Sequence, residues 1–306
     1  MIKRLAKRGV AAVGKAARRL GLLPRRMVVR MDGGVCSQMH FYLVGEMLRR
    51  KGNEVEFDLT WFDEWGKDCD GIHVRNFDLL RMFPSLPFRK ASPAFTRLLR
   101  LSCPDSYDYF NPPADPLEWI NYRGPLYMRG YYHDPEEMYP ALFRQIFRPD
   151  LSVLDKSGRD WLELIDREAD ACAVHVRRGD LAKSNPAYGD PATVGYFRRA
   201  VERIASMAPG ARFFIFSDDP EWCRVSLLPS LPEGVDARIV EGNGSDRGYM
   251  DLLLMSRCRH IVCSQGSMGR FAALLRPAAL LGGHVILFPG KSSAGWLTRF
   301  PDASLL

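Results

Sequence analysis

The second half of the chain constrains the fold most, because short apolar runs there alternate with polar loops and helical stretches. The runs are ACAVHV (171–176), RFFIFS (212–217), ARIVE (237–241), HIVC (260–263) and HVILF (284–288). Continuous apolar runs of this length suit strands that are buried on both faces. Helical spacing is expected over 193–208, 248–257 and 270–275. Strands covered on both faces and joined through helices form a doubly wound parallel sheet.

The first half opens in the same manner. Residues 27–31 read as a strand, Asp32-Gly33-Gly34 as a tight turn, 37–50 as a helix with a basic last turn, and 54–59 as a second strand. Residues 60–125 are rich in aromatics and prolines and read as short helices and long loops. A further strand is expected over 126–132. Asp134 as N-cap and Pro135 at the first helical position then open a helix to about residue 147. Pro149-Asp150 and Lys156-Ser157-Gly158 are turn signals that mark a boundary. The expected organisation is a segment 1–26, an α/β domain 27–155 and a second α/β domain 156–306. A length of 306 residues, 46% hydrophobic and 26% charged, suits two globular domains.

Charge is unevenly placed. Residues 1–31 hold ten Lys/Arg and no acid, and the remaining 33 basic against 36 acidic residues leave the body at −3. That argues against a nucleic-acid-binding face on the folded domains. In residues 2–20, Ile2, Leu5, Val10, Val13, Ala17 and Leu20 fall roughly along one helical face among Lys and Arg. The apolar stretches are too short to span a bilayer and fit a signal peptide poorly. Two readings stay open: a helix that docks on an anionic membrane surface, or a frayed, solvated segment. The seven cysteines include no CxxC and several sit in apolar runs, which fits buried free thiols in a reducing, cytoplasmic setting. No Cys/His set shows metal-ligand spacing, so no metal is expected.

In open parallel sheets ligands bind at the carboxyl ends of the strands. The loop after 171–176 offers Arg177, Arg178 and Asp180, with His175 at the strand's end. The loop after 212–217 offers Asp218 and Asp219. The loop after 260–263 offers Ser264, Gln265, Gly266 and Ser267 just before a helix. Guanidinium forks and the N–H groups of a helix start suit phosphate oxygens. Carboxylates accept from purine N–H groups or ribose hydroxyls. Taken singly, each cluster also reads as a solvated turn or a simple helix cap. All three fall at one edge of one expected sheet, which describes a nucleotide diphosphate pocket without a Walker lysine.

HVRRGD at 175–180 resembles the first peptide motif of the α1,2-fucosyltransferases of glycosyltransferase family 11, shared more loosely by α1,6- and protein O-fucosyltransferases. FIFSDDP at 214–220 is similar to the second motif, and 249–275 to the third. DGGVCSQMHFY at 32–42 is similar to the family's N-terminal glycine element, and YYHDPEEM at 131–138 to another recurring segment. The resemblance implies a GT-B architecture, two Rossmann-like domains facing a cleft, and inverting transfer of L-fucose from GDP-fucose to a glycan or lipid-linked acceptor. No cofactor or metal is implied. Arg177 would contact the β-phosphate with Arg178 in support, and His175 with Asp218 or Asp219 would lie near guanine. Ser264, Gln265 and Ser267 would line the donor site, and Asp32, Gly33, Gly34 and Gln38 the cleft from the other domain. Asp180 is expected either to take the acceptor proton or to brace the arginine loop.

The chain departs from the family at Gly34-Val35-Cys36-Ser37-Gln38 and at 264–270, which bears on acceptor and linkage more than on donor. The expected setting is bacterial surface polysaccharide synthesis at the inner membrane face. Rival readings are a transferase of the same fold using another sugar nucleotide, and a noncatalytic lipid-surface binding protein.

Overall fold

A computed structural model describes residues 25–67, 71, 74–102, 120, 121, 125–130, 138–179, 190–290, 300 and 303–306, with single positions (9, 13, 16, 17, 20, 22) before them. The chain forms two compact units, Met1–Gly66 with Pro84–Ile146, and Lys67–Phe83 with Phe147–Leu306.

In the first unit, β1 (Arg26–Arg30) lies between β2 (Glu54–Asp58) and β3 (Leu126–Met128), all parallel. Met27, Val28 and Val29 are essentially fully buried, as covering on both faces requires. α1 (Val35–Arg50) packs on β2. Gly45 makes that approach possible, since a Cβ there would stand 2.6 Å from the Phe57 ring. α1 ends at Lys51 and Gly52, whose φ of 84° suits glycine. α2 (Pro93–Ser102) supplies Leu99 and Phe95 to the opposite face, against Val28 and Tyr127. Buried charges on this unit are paired. Glu56 accepts from Arg26 at 2.7 Å and stands 2.8 Å from Arg89, and Tyr127 donates to Asp58 at 2.7 Å.

The second unit has α3 (Lys156–Asp166), β4 (Ala171–Val176), α4 (Val194–Met207), β5 (Arg212–Ser217) and β6 (Ala237–Ile239). α5 (Gly248–Met255), β7 (His260–Val262), α6 (Met268–Leu275), β8 (Ile286–Phe288) and β9 (Ala303–Leu305) complete it. The six strands are parallel in the order β6-β5-β4-β7-β8-β9. Strand order reverses between β4 and β7, and loops leaving these two neighbours open a crevice at their carboxyl ends. The core on one face joins Val174, Phe197, Val201, Ile204, Ile215 and Leu287, all nearly inaccessible.

Both α/β units and their parallel sheets match the expected class. Three details differ. Lys156-Ser157-Gly158 is not a turn but the first turn of α3, because Asp155 caps it by accepting from Gly158 N–H at 2.8 Å. The sixth strand, β9, was not expected: it is three half-exposed residues held by backbone pairing to β8, with no apolar run to announce it. The division falls after Ile146 rather than after residue 155, and Lys67–Phe83 joins the second unit. There Asn76 donates to the Asp246 carbonyl at 3.5 Å, and the Phe83 and Phe147 rings lie 4.9 Å apart. The described part of the helix expected from Asp134 is Ala141–Ile146; Asp134 and Pro135 lie outside the described residues.

Candidate functional site

β4 and β7 are adjacent and parallel, so residues following them share one edge of the sheet. Three hydrogen-bonded residues tie those two ends together. His175 Nδ1 lies 2.9 Å from Ser264 Oγ, which accepts from Arg177 N–H at 3.1 Å. The serine hydroxyl thus links the histidine ring to the Arg177 backbone, and its oxygen also lies 3.4 Å from the Gln265 carbonyl. His175 is buried, and desolvation together with the nearby Arg177 and Arg270 charges pushes its pKa down to about 3. The ring is therefore neutral over the whole physiological range.

The half-buried Arg177 lies against the serine turn. Gly266 has φ +89°, and a Cβ there would stand 3.4 Å from Arg177 Cδ. The glycine thus provides the left-handed turn, and the arginine stem runs at van der Waals distance from it. Ser267 follows as the N-cap position of α6 without a side-chain capping bond, and its carbonyl accepts from Phe271 N–H at 2.8 Å. Guanidinium, turn and the start of an eight-residue helix converge on this edge.

Arg178 turns toward β5. Its N–H donates to Asp218 at 2.8 Å, and its guanidinium carbon sits 3.9 Å above the Trp222 ring centroid, with Nε 3.8 Å from Asp219. Asp219 caps the short helix Pro220–Trp222, accepting from Trp222 N–H at 3.1 Å. Both acids thus accept a backbone hydrogen bond, and the second oxygen of Asp219 is the one that faces Arg178.

Gln265 has a role the sequence did not show. Its side-chain oxygen accepts from Ala192 N–H at 3.0 Å and its nitrogen donates to the Asp190 carbonyl, which fastens the chain entering α4 to the serine turn. Asp180 lies outside the described residues, as does most of the loop after it.

In the first unit, Asp32, Gly33 and Gly34 follow β1 at the carboxyl edge of its own sheet, with Gly33 at φ 69°. Gln38, expected among the lining residues, is instead fully buried and donates from Nε2 to the Gly33 carbonyl at 3.0 Å. A glycine turn capped by a helix start leaves its carbonyl facing inward, and the amide satisfies it. Asp32 is 5% exposed; burial raises its pKa to about 6, opposed by Arg30 at 3.7 Å.

Two residues escaped the sequence reading. Asp251 is the lone acid in the apolar α5. It is held by Asn243 at 2.7 Å, and desolvation lifts its pKa to about 7. A single carboxylate inside an apolar helical run was the available signal. Arg270 sits in the first turn of α6, close enough to depress His175. A cation there opposes the helix dipole, and that mismatch was its signal.

Among the described residues no three His, Cys, Asp or Glu side chains gather in a way that would hold a metal ion. Cys36, Cys172, Cys223, Cys258 and Cys263 are buried free thiols, and burial raises Cys263 to about 12, so its thiol is unreactive at neutral pH. Cys69 and Cys103 lie outside the described residues.

An order reversal flanked by arginines, with a helix start opposite, is how doubly wound α/β proteins hold a nucleotide-like anion. The particular family is shown by sequence. The chain belongs to glycosyl transferase family 11, whose profile matches residues 100–281. It is 35% identical to galactoside 2-alpha-L-fucosyltransferase Sec1 of Mus musculus over 33% of this chain, a stretch that spans 27% of that protein's length. It is 24% identical to an alpha-1,2-colitosyltransferase of Escherichia coli over 82% of this chain and 87% of that protein. A solved structure of POFUT1 in complex with GDP-fucose superposes at a TM-score of 0.46 and 12% identity, over 83% of this chain and 94% of that one, a likeness too low to carry an argument.

Proposed function

We propose that the chain transfers L-fucose from GDP-fucose, with inversion, to a hydroxyl of a glycan or lipid-linked acceptor, in α1,2 linkage. The observation that carries this reading is Arg177 laid over Gly266 at the strand-order reversal, beside the start of α6. Cleavage of the bond between fucose C1 and the β-phosphate oxygen leaves the electron pair, and the growing negative charge, on GDP. Arg177, Arg270 and the N–H groups around Ser267 supply fixed positive potential for it, without a divalent cation. Arg178, braced by Trp222, adds to the same field. The neutral His175 holds Ser264, and Ser264 holds the Arg177 backbone, so the anion site is preorganised before the donor arrives. Guanine presents N–H donors that require an acceptor; Asp251, Asp218 and Asp219 are the carboxylates offered on this edge. The acceptor hydroxyl attacks the opposite face of C1 and gives up its proton to a carboxylate. Asp180 takes that proton or braces the arginine loop.

The setting we propose is synthesis of a bacterial surface polysaccharide from the cytoplasmic side. The similarity to a colitosyltransferase favours one rival donor, because colitose lacks only the 3-hydroxyl of fucose. A donor panel separates the readings. Transfer from GDP-fucose at a rate well above GDP-colitose, with none from UDP- or CMP-sugars, is expected; the reverse preference would replace the donor. Calorimetry should show GDP binding without added metal, and chelator should leave turnover unchanged. Turnover lost to chelator and restored by magnesium would contradict the arginine-based account.

A further inference from the structure

We propose that Tyr196 is a positioning residue for the anion site, and that its hydroxyl replaces a sheet hydrogen bond that Pro289 is unable to make. This role rests on the nucleotide reading of the serine turn and names what fixes the turn in place.

The gap follows from the register. β7 and β8 run parallel, with Ile261 opposite Ile286 and Val262 opposite Leu287. Ile261 N–H donates to the Val285 carbonyl at 2.9 Å, and Cys263 N–H to the Leu287 carbonyl at 2.8 Å. In a parallel pair, such a residue donates to one partner, and its own carbonyl receives from the partner residue two positions further on. For Ile261 these are Val285 and Leu287; for Cys263 they are Leu287 and Pro289. Proline has no N–H. The sheet therefore offers no donor to the Cys263 carbonyl, and Cys263 is fully buried. A buried carbonyl left unmet is costly, so a donor has to come from elsewhere.

Tyr196 supplies it. The residue lies in the first turn of α4, which Thr193 caps by accepting from Tyr196 N–H at 3.2 Å. The Tyr196 hydroxyl donates to the Cys263 carbonyl at 2.7 Å and stands 3.1 Å from the Leu287 carbonyl. Burial pushes the phenol's pKa well above its ordinary value, so it stays a donor at neutral pH. The Cys263 carbonyl belongs to the planar peptide that leads into Ser264, and its direction sets the backbone from which the serine side chain departs. Ser264 in turn holds the Arg177 backbone and the His175 ring. One residue further on, Gln265 is fastened to Asp190 and Ala192, just ahead of the same helix. The start of α4 thus grips the turn at two points, with Ser264 between them. Removing the hydroxyl frees the peptide at Cys263 and loosens Ser264 from Arg177, although the ring still fills its place in the core.

The test is calorimetric binding of GDP to the full chain, with Tm measured alongside. Tyr196→Phe should weaken GDP roughly tenfold and lower Tm by about 2–6 °C. Ile204→Val, in the same helix and core but about two turns further along, should lower Tm and leave GDP affinity within about twofold of wild type. Pro289→Ala provides the missing amide. Alone it should change GDP affinity by less than about twofold, and in the Tyr196→Phe background it should recover most of the lost affinity. Equal GDP affinity in Tyr196→Phe and wild type overturns the proposal, since the tyrosine then serves stability alone. A loss in Ile204→Val as large as that in Tyr196→Phe overturns it in the same way. Tyr196→Phe/Pro289→Ala binding as weakly as Tyr196→Phe overturns the replacement of one donor by the other. Failure of the wild-type chain to bind GDP at all is a separate result: it sinks the nucleotide reading itself, and this role with it.

Discussion

Each unit carries a glycine turn at the carboxyl edge of its sheet, and the two are built for opposite charges. The turn after β1 is filled from behind by Gln38 and carries Asp32, a carboxyl that burial has made a weak acid, with a pKa of about 6. The turn after β7 is packed by the Arg177 stem and followed by a helix start, with Arg270 as the third residue of that helix. One turn can hold or accept a proton near neutral pH; the other offers positive potential to an anion. The same backbone device serves either purpose, and the neighbouring side chains decide which.

Substitutions can break this contrast or sharpen it. Arg177→Ala should have the largest effect, a hundredfold or greater fall in kcat/KM (~3 kcal/mol) with an unchanged melting temperature. Steady-state GDP release measures it, and turnover near wild type would sink the arginine-based account.

Valine at either glycine meets a left-handed φ and should cost about 1–3 kcal/mol of stability. The two variants should part in their activity. Gly266→Val also presses on the Arg177 stem and should lower turnover of the protein that remains folded about tenfold, whereas Gly33→Val should act mainly through stability. Specific activity normalised to folded protein by calorimetry tells them apart.

Asp32→Asn follows from linkage. The folded carboxyl holds its proton more tightly than the ordinary value of 3.8, at about 6, so stability falls as pH rises between these values. Asparagine removes that penalty. The melting temperature should rise at pH 8, by the equivalent of about 1–3 kcal/mol, and stay the same near pH 4. A gain in stability accompanied by lost turnover would mark the carboxylate as functional; a gain with full turnover would make it a mere buried acid.

Trp222→Leu should have the smallest effect, a three- to tenfold rise in donor KM at nearly constant kcat, about 1 kcal/mol for the lost ring under Arg178. Trp222→Phe should recover most of it. Equal losses in both variants would mean that the ring serves packing and not the arginine.

The sequence made most of this edge legible. The apolar runs ending at Val176 and Val262 announced two parallel strands, and the polar residues after them then had to share an edge. What remained hidden depended on side-chain direction. Nothing in the letters distinguishes a glutamine that faces a ligand from Gln38, which faces its own turn, or from Gln265, which fastens Asp190 and Ala192. Asp251 and Arg270 were visible as misfits in their helices, yet a misfit acquires meaning only once its neighbours are known. β9 was illegible for a different reason: its pairing is carried by backbone, which every sequence has.

The strand order has one more consequence. Ser264 and Arg177 are 87 residues apart and meet only because β7 has docked beside β4. The proposed anion site would therefore be a product of high contact order, absent from any local fragment and from any partly assembled sheet. A nucleotide that binds there, as proposed, would require the completed sheet of the second unit. By mass action its occupancy should raise the melting temperature of that unit as a whole, so that the ligand doubles as a readout of folding.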